Sequence, residues 1–274
     1  MLPDANSSNT PVSSGLKVAA LVSVGQHPKS GRPRRADQDA RAVEMGIRLC
    51  GEHLSLVHAG PEGKGDIREQ ALRQYLGMGI KGLTILHQQE GSDALPALAS
   101  HFKDQGADII LAGMRAESGE ASGMLPYLLA DRLGWPIVSS VADIISINEN
   151  DAEILQALPR GQRRKLRVSV PFVATVDQAA QIPRQIAFGP SQRGHLKGQE
   201  SIDEIDQVKS DWEETPARKR PKRLNIKKAK SAADRFKAAT AKPQGEGGKI
   251  MKDESSQEKA QAILDLLVSE GIVK

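Results

Sequence analysis

After a polar lead, the run 16–24 (LKVAALVSV) is almost wholly apolar, the pattern of a short strand covered on both faces. A loop rich in Gly, Pro and Arg follows. Ala36, Ala40, Val43, Ile47 and Cys50 then recur at spacings of four and three, which predicts an amphipathic helix. The pattern repeats: strand 53–58, a helix over 66–78 burying Ile67, Ala71, Leu72, Tyr75 and Leu76, strand 82–86, helix 93–105, strand 109–113 and a helix over 124–133. Four strands alternating with four helices predict right-handed βαβ units and a parallel sheet. From Ile137 the alternation stops. Segments 138–147, 152–158 and 165–170 read as consecutive strands joined by turn residues at 148–150 and 159–161, hence antiparallel, and 172–176 is one further short strand.

The C-terminus is expected to be ordered as well. Ser255-Ser256-Gln257-Glu258 is a capping box ahead of a stripe of Ala260, Ile263, Leu264, Leu267 and Val268, with Gly271 as the stop. A lone amphipathic helix after some 50 charged residues needs a surface to dock on, either its own domain or a partner subunit. The expected organisation is a disordered lead over 1–15, an α/β domain over 16–190, a charged extended arm over 191–254 and a docking helix over 255–274.

Composition narrows the function. In 274 residues there is one cysteine, which excludes a disulfide scaffold and any Cys-cluster metal site. Aromatic content of 3% is too low for a base-stacking platform. No apolar run approaches the ~20 residues that span a bilayer. The lead MLPDANSSNTPVSSG has neither the basic nor the apolar region of a secretory signal, so a reducing compartment such as the bacterial cytoplasm is expected. The net charge of +4 is unevenly placed: residues 215–244 hold eleven Lys and Arg against Asp234 alone, which leaves the rest of the chain at −6. Such a run reads as a solvated linker, or as a surface for an acidic protein, before it reads as a nucleic-acid patch.

Catalytic motifs are missing where the fold would place them. Ser23-Val24-Gly25-Gln26 is not a dinucleotide fingerprint, and residues 60–66 lack the GK[ST] ending of a P-loop. Ser118 and Ser122 do not sit in G-x-S-x-G. The six histidines show no HxxxH or HExxH spacing, and Cys50 falls on a packing stripe. A binding or carrier function is therefore expected over catalysis. The loop after the fourth strand is the candidate site: Gly113 ends the strand, Ser118-Gly119-Glu120-Ala121-Ser122-Gly123 are mostly small, and a helix begins at once, an arrangement suited to a phosphate.

At these residues the order of motifs resembles the β subunit of electron transfer flavoprotein, in a divergent bacterial-type branch. Ala42-Val43-Glu44 with Arg48-Leu49 resembles that family's A-V-E…R-L helix, and Val57-His58-Ala59-Gly60-Pro61 its V-x-x-G-P. Residues 107–113 (ADIILAG), Ser122-Gly123, Leu133-Gly134-Trp135-Pro136 and residues 170–177 (VPFVATVD) followed by Pro183-Arg184 continue the match in order over some 170 residues. The resemblance implies a Rossmann-like, adenine nucleotide alpha hydrolase-like parallel sheet with helices on both faces and an antiparallel strand extension. It implies a heterodimer with an α subunit that holds FAD, a structural AMP in the β subunit, and electron carriage from flavin-dependent dehydrogenases to a membrane quinone oxidoreductase. No bond of a substrate is made or broken by such a subunit, and neither nucleic acid nor membrane embedding is implied.

By position, the nucleotide contacts fall at Leu21, Ala36, Asp37, Gln38, Asp39, Ala59, Gly113, Ser118, Gly119, Glu120, Ala121 and Ser122. A partner-docking loop falls at 177–190, with Phe188 at an exposed apolar position beside Pro183 and Arg184. The sequence departs from the family at Ala36-Asp37, where an Asn-Pro pair is usual, and at Met124, where a Gln is usual. Asp37 and Glu120 would repel a phosphate unless a cation or a backbone nest offsets them. Three alternatives stand beside this reading: an electron-bifurcating relative with a second FAD, a stand-alone nucleotide-binding stress-type module, and a nucleic-acid binder acting through 215–244.

Overall fold

The computed structural model describes residues 15–213 apart from 62, 64 and 149, together with 215, 251 and 253–269. The chain divides into two compact units, Met1–Glu213 and Glu214–Lys274. The disordered lead, the basic run and the Gly271 stop expected from sequence lie outside the described residues.

The first unit is built on a nine-stranded sheet of order β11-β5-β4-β1-β6-β10-β7-β8-β9. Its centre is β1 (Val18–Leu21), flanked in parallel by β4 (Ser55–Gly60) and β6 (Ile109–Gly113). Beyond β4 runs β5 (Gly82–His87), and beyond β6 run β10 (Phe172–Val176) and β7 (Ile137–Ile147), all parallel. Strands β8 (Asp151–Ala157) and β9 (Arg163–Ser169) then add antiparallel, as the turn residues predicted.

Both faces of the sheet are covered. Val18 and Ala20 of β1 pack on one side with Ala40, Val43 and Met45 of α1 (Asp37–Cys50) and with Leu72, Tyr75 and Leu76 of α2 (Ile67–Leu76). Ala19 and Leu21 pack on the other with Leu98 and Phe102 of α3 (Ala94–Gln105) and Leu129 of α4 (Leu125–Leu133). A strand buried on both faces has no polar side to show, which is why β1 reads as a continuous apolar run. Side chains cap two of these four helices: Asp66 accepts from the amides of Arg68 and Glu69, and Asp93 from that of Leu95. Gly46 lets α1 lie against Leu54, since a Cβ there would meet the Leu54 Cδ1 at 2.5 Å. Cys50 is half-buried on α1, donates to the Gly46 carbonyl, and burial pushes its thiol up to about 11, in keeping with a packing role.

Two elements differ from the sequence expectation. The supposed loop after β1 contains a small antiparallel hairpin of β2 (Val24–Gln26) and β3 (Pro33–Arg35). The start of the expected arm is also ordered. After α5 (Phe188–Arg193), β11 (His195–Glu200) pairs in parallel with β5 along its whole length, and the chain continues to α6 (Gln207–Ser210). Between them residues 201–206 strap the β5–α3 loop: Asp203 accepts from Ser92 and from the Gln89 amide, and the Asp93 amide donates to the Glu204 carbonyl at 2.8 Å.

In the second unit, α7 (Ser256–Ser269) carries the expected box, with the Glu258 amide donating to the Ser255 Oγ at 3.3 Å and the Ser255 amide to the Glu258 Oε2 at 2.8 Å. Ile263, Leu264, Leu266 and Val268 are exposed along it.

Candidate functional site

In chain order the sheet grows from β1 outward through β4 and β5, then returns to the other side of β1 with β6. Ligands of open α/β sheets bind at such a reversal, outside the carboxyl ends of the strands. A cavity of about 630 Å³ lies there, within the 300–1,000 Å³ of small-molecule sites. Leu21 at the end of β1 and Val22 and Ser23 after it line the cavity, as do His58, Ala59 and Gly60 of β4 and Ala112 and Gly113 of β6. The loop from Ser118 to Met124 forms one wall, and Gln88 to Ala94 with Asp206 and Lys209 form another.

The loop wall suits an anion. Gly119, Ala121 and Gly123 all take positive φ (70°, 52° and 78°), the backbone setting in which successive N–H groups converge into a nest. At Gly123 a side chain is excluded outright, because a Cβ would sit 2.7 Å from the Met114 carbonyl oxygen. The loop then enters α4, where Pro126 has no N–H and the Tyr127 and Leu128 amides both donate to the Met124 carbonyl at 3.0 Å, so the loop backbone rather than the helix turn faces an anion. Arg115 also lines the cavity, and among the described residues no carboxylate pairs with it.

Two carboxylates near the nest are already engaged. Asp39 is buried and accepts from the Ser23 amide at 2.8 Å, from the Ser23 hydroxyl and from the Gly113 amide, so it ties the end of β1 to the end of β6. Burial pushes its pKa up to about 6 despite those donors. Gly113 has no room for a Cβ, which would lie 2.4 Å from the Asp39 Oδ1. Glu117 accepts from the Asp37 amide at 2.8 Å, the Gln26 amide at 3.1 Å and the Arg34 guanidinium at 2.9 Å, and so clamps the loop to the hairpin and to the start of α1.

Of the residues expected to meet a nucleotide, the fold brings Leu21, Asp39, Ala59, Gly113, Ser118, Gly119, Glu120, Ala121 and Ser122 to the cavity. Ala36, Asp37 and Gln38 stand behind it. The Ala36 amide donates to the Tyr75 hydroxyl at 2.9 Å, the Asp37 amide is taken by Glu117, and the Gln38 Oε1 accepts from the Arg115 amide at 3.3 Å. Sequence reasoning missed His58, Gln88, Arg115 and the clamp residue Glu117. A histidine closing an apolar strand was the one signal available for the first.

A second feature lies at 177–190. Phe188 is 78% exposed and Ile182 75%, so Phe188 is a surface group rather than a core residue beneath the loop. The backbone around them is fastened to the sheet domain. The Ala187 amide donates to the Gly77 carbonyl at 2.9 Å, Arg41 donates to the Ala180 carbonyl at 2.7 Å, and Arg184 is held by Glu44 of α1. Arg184 gives Glu44 its amide at 3.0 Å, Nε at 2.8 Å and Nη2 at 2.9 Å. Burial would raise the Glu44 pKa, but these bonds outweigh it and hold the carboxyl below the ordinary glutamate range. Pro183 is half-buried beside it.

The fold is an α/β domain of the Rossmann-like class with a cavity where its sheet reverses direction. Residues 31–206 match the model of the electron transfer flavoprotein domain. The chain is also 50% identical over 261 residues to the electron transfer flavoprotein subunit beta of Chromohalobacter salexigens, an overlap that covers 94% of this chain and 96% of that one. The chain belongs to the electron transfer flavoprotein family, on its β-subunit side. Among the described residues no helix is long and apolar enough to cross a membrane.

Proposed function

We propose that the chain is the nucleotide-holding and partner-docking subunit of a two-subunit electron carrier. Its α partner holds FAD, which supplies the redox chemistry; this chain supplies a structural AMP site, part of the flavin domain's cradle, and the surface that dehydrogenases meet. Electrons pass from flavin-dependent dehydrogenases to a membrane quinone oxidoreductase, and the pair works in the bacterial cytoplasm. Family membership carries the reading.

The cavity supports the AMP part of it. Its volume suits a mononucleotide, and the residues there fit one: the backbone of 119–123 and Arg115 line the end suited to an anion, while Asp39 and Glu117 are already engaged by protein donors. Glu120 is the one acid of the loop left beside the phosphate, and the nest and Arg115 offset it. Phe188 and Ile182 support the docking part, since apolar anchors on a fastened loop suit a small transient interface.

Reconstitution tests the proposal. The full-length chain, co-expressed with the α subunit of the same genome, is expected to form a stable pair whose flavin is reduced by an acyl-chain or other flavin-dependent dehydrogenase. Failure to pair, or a paired flavin that no such dehydrogenase reduces, would overturn it.

A further inference from the structure

We propose that His58 and Gln88 form an acceptor end of the cavity that reads a hydrogen-bond donor of the nucleotide, either the exocyclic amino group of its base or a ribose hydroxyl. This rests on the nucleotide reading above.

His58 lies in β4, lines the cavity and is 8% exposed. Its Nδ1 is 2.9 Å from the Val22 carbonyl oxygen, which can only accept, so the proton sits on Nδ1 and Nε2 carries the lone pair. Burial lowers the ring's pKa and so favours this neutral form. Nothing covers the lone pair from the side of Gly60, where a Cβ would stand 2.9 Å from Nε2.

Gln88 is fixed in the same sense. It too is 8% exposed and lines the cavity. Both hydrogens of its amide are spent, on the Asp93 carbonyl at 2.8 Å and the Ile202 carbonyl at 3.2 Å, so the group cannot flip and Oε1 is the atom left for a ligand. Its backbone amide donates to the Gly60 carbonyl at 3.2 Å, which sets it beside the end of β4.

The cavity is therefore polarised. At 119–123 it presents the positive-φ backbone of an anion nest, and at the β4–β5 end it presents two acceptors whose other polar atoms are tied to backbone carbonyls. Among the described residues, neither the His58 Nε2 nor the Gln88 Oε1 has a hydrogen-bond partner. A ligand that places an anion at the first end and a donor at the second satisfies both. An analogue with a carbonyl in place of the amino group sets acceptor against acceptor and leaves buried groups unpaired, the kind of mismatch that discriminates most strongly.

The test uses the full-length chain in complex with its α subunit, stripped of nucleotide and titrated calorimetrically. The ligands are AMP, inosine monophosphate, 2′-deoxy-AMP, 3′-deoxy-AMP and adenosine. The analogue lacking the donor that is read should bind at least about tenfold more weakly than AMP. A loss with inosine monophosphate assigns the amino group, and a loss with a deoxy analogue assigns the hydroxyl. His58→Phe and Gln88→Leu should each bring that ratio close to one, His58→Gln should retain part of it, and Gly60→Ala should abolish it with His58 intact. Equal binding of all analogues by the wild type, or discrimination unchanged in folded His58→Phe and Gln88→Leu, would overturn the inference while leaving the nucleotide site standing. A wild type that binds neither AMP nor adenosine would overturn the nucleotide reading and this inference together.

Discussion

Removing the Arg184 side chain should damage the protein more than neutralising its partner Glu44, although the two share the same hydrogen bonds. The asymmetry follows from exposure: the Glu44 side chain is 4% exposed and that of Arg184 45%. In Arg184→Ala, Glu44 loses bonds of 2.8 and 2.9 Å and keeps only the Arg184 amide at 3.0 Å. A buried carboxylate stripped of its cation costs about 3 kcal/mol. In Glu44→Gln, the guanidinium turns to water and the amide oxygen still accepts, so the cost should be about 1 kcal/mol. Adding Glu44→Gln to Arg184→Ala should recover about 2 kcal/mol, because the uncompensated charge is gone. Urea unfolding of the full chain, followed by circular dichroism, measures all three. The pH dependence has a definite sign. The folded pKa of Glu44 is depressed, so its contribution is present above the unfolded value near 4.5 and is lost as pH falls below that. The gap between wild type and Arg184→Ala should accordingly narrow as pH falls below about 4.5. A Glu44→Gln cost equal to or above that of Arg184→Ala, or a gap indifferent to pH, would refute the reasoning.

Asp39 runs the other way: its folded pKa of about 6 lies above the ordinary 3.8, so protonation favours the native state and that advantage is lost as pH rises through 6. The stability of Asp39→Asn relative to wild type should improve by about 2 kcal/mol between pH 4 and pH 7 in denaturant titrations, and a flat difference would contradict this. Tyr75→Phe should cost about 2 kcal/mol, because the buried hydroxyl both accepts from the Ala36 amide at 2.9 Å and donates to the Ser23 carbonyl at 2.8 Å, and thermal melting would show it. Phe188→Ala should leave stability within about 0.5 kcal/mol of wild type, yet slow reduction by a flavin-dependent dehydrogenase at least about tenfold; unchanged steady-state kinetics would remove Phe188 from the docking surface.

The parallel sheet was legible because β1, β4 and β6 are apolar on both faces and their helices keep a clean period. The β2–β3 hairpin was not, since three-residue strands such as Pro33–Arg35 are too short for any alternation to register. Nor was β11, whose residues HLKGQE pair along a sheet edge and bury no side chain fully. The same physics sorts the candidate site. Gly113 and the small residues 118–122 could be read as a strand end and a loop suited to an anion, whereas Leu21, Asp39 and Ala59 came from family position. Ala36, Asp37 and Gln38 came from family position alone, and groups distant in sequence (the Glu117 carboxylate, the Tyr75 hydroxyl and the Arg115 amide) engage them behind the cavity. His58 and Gln88 matter through what their other atoms bond to, Val22 in one case and Asp93 and Ile202 in the other. No local pattern in the chain records such contacts.

Counting what the purified pair contains tests the proposed role most directly. The full-length chain, co-purified with its α subunit and denatured, should release one FAD and one AMP per heterodimer, identified by absorbance and mass. Two FAD and no AMP would place a second flavin in the β-subunit cavity. No complex and no flavin would contradict the carrier role altogether.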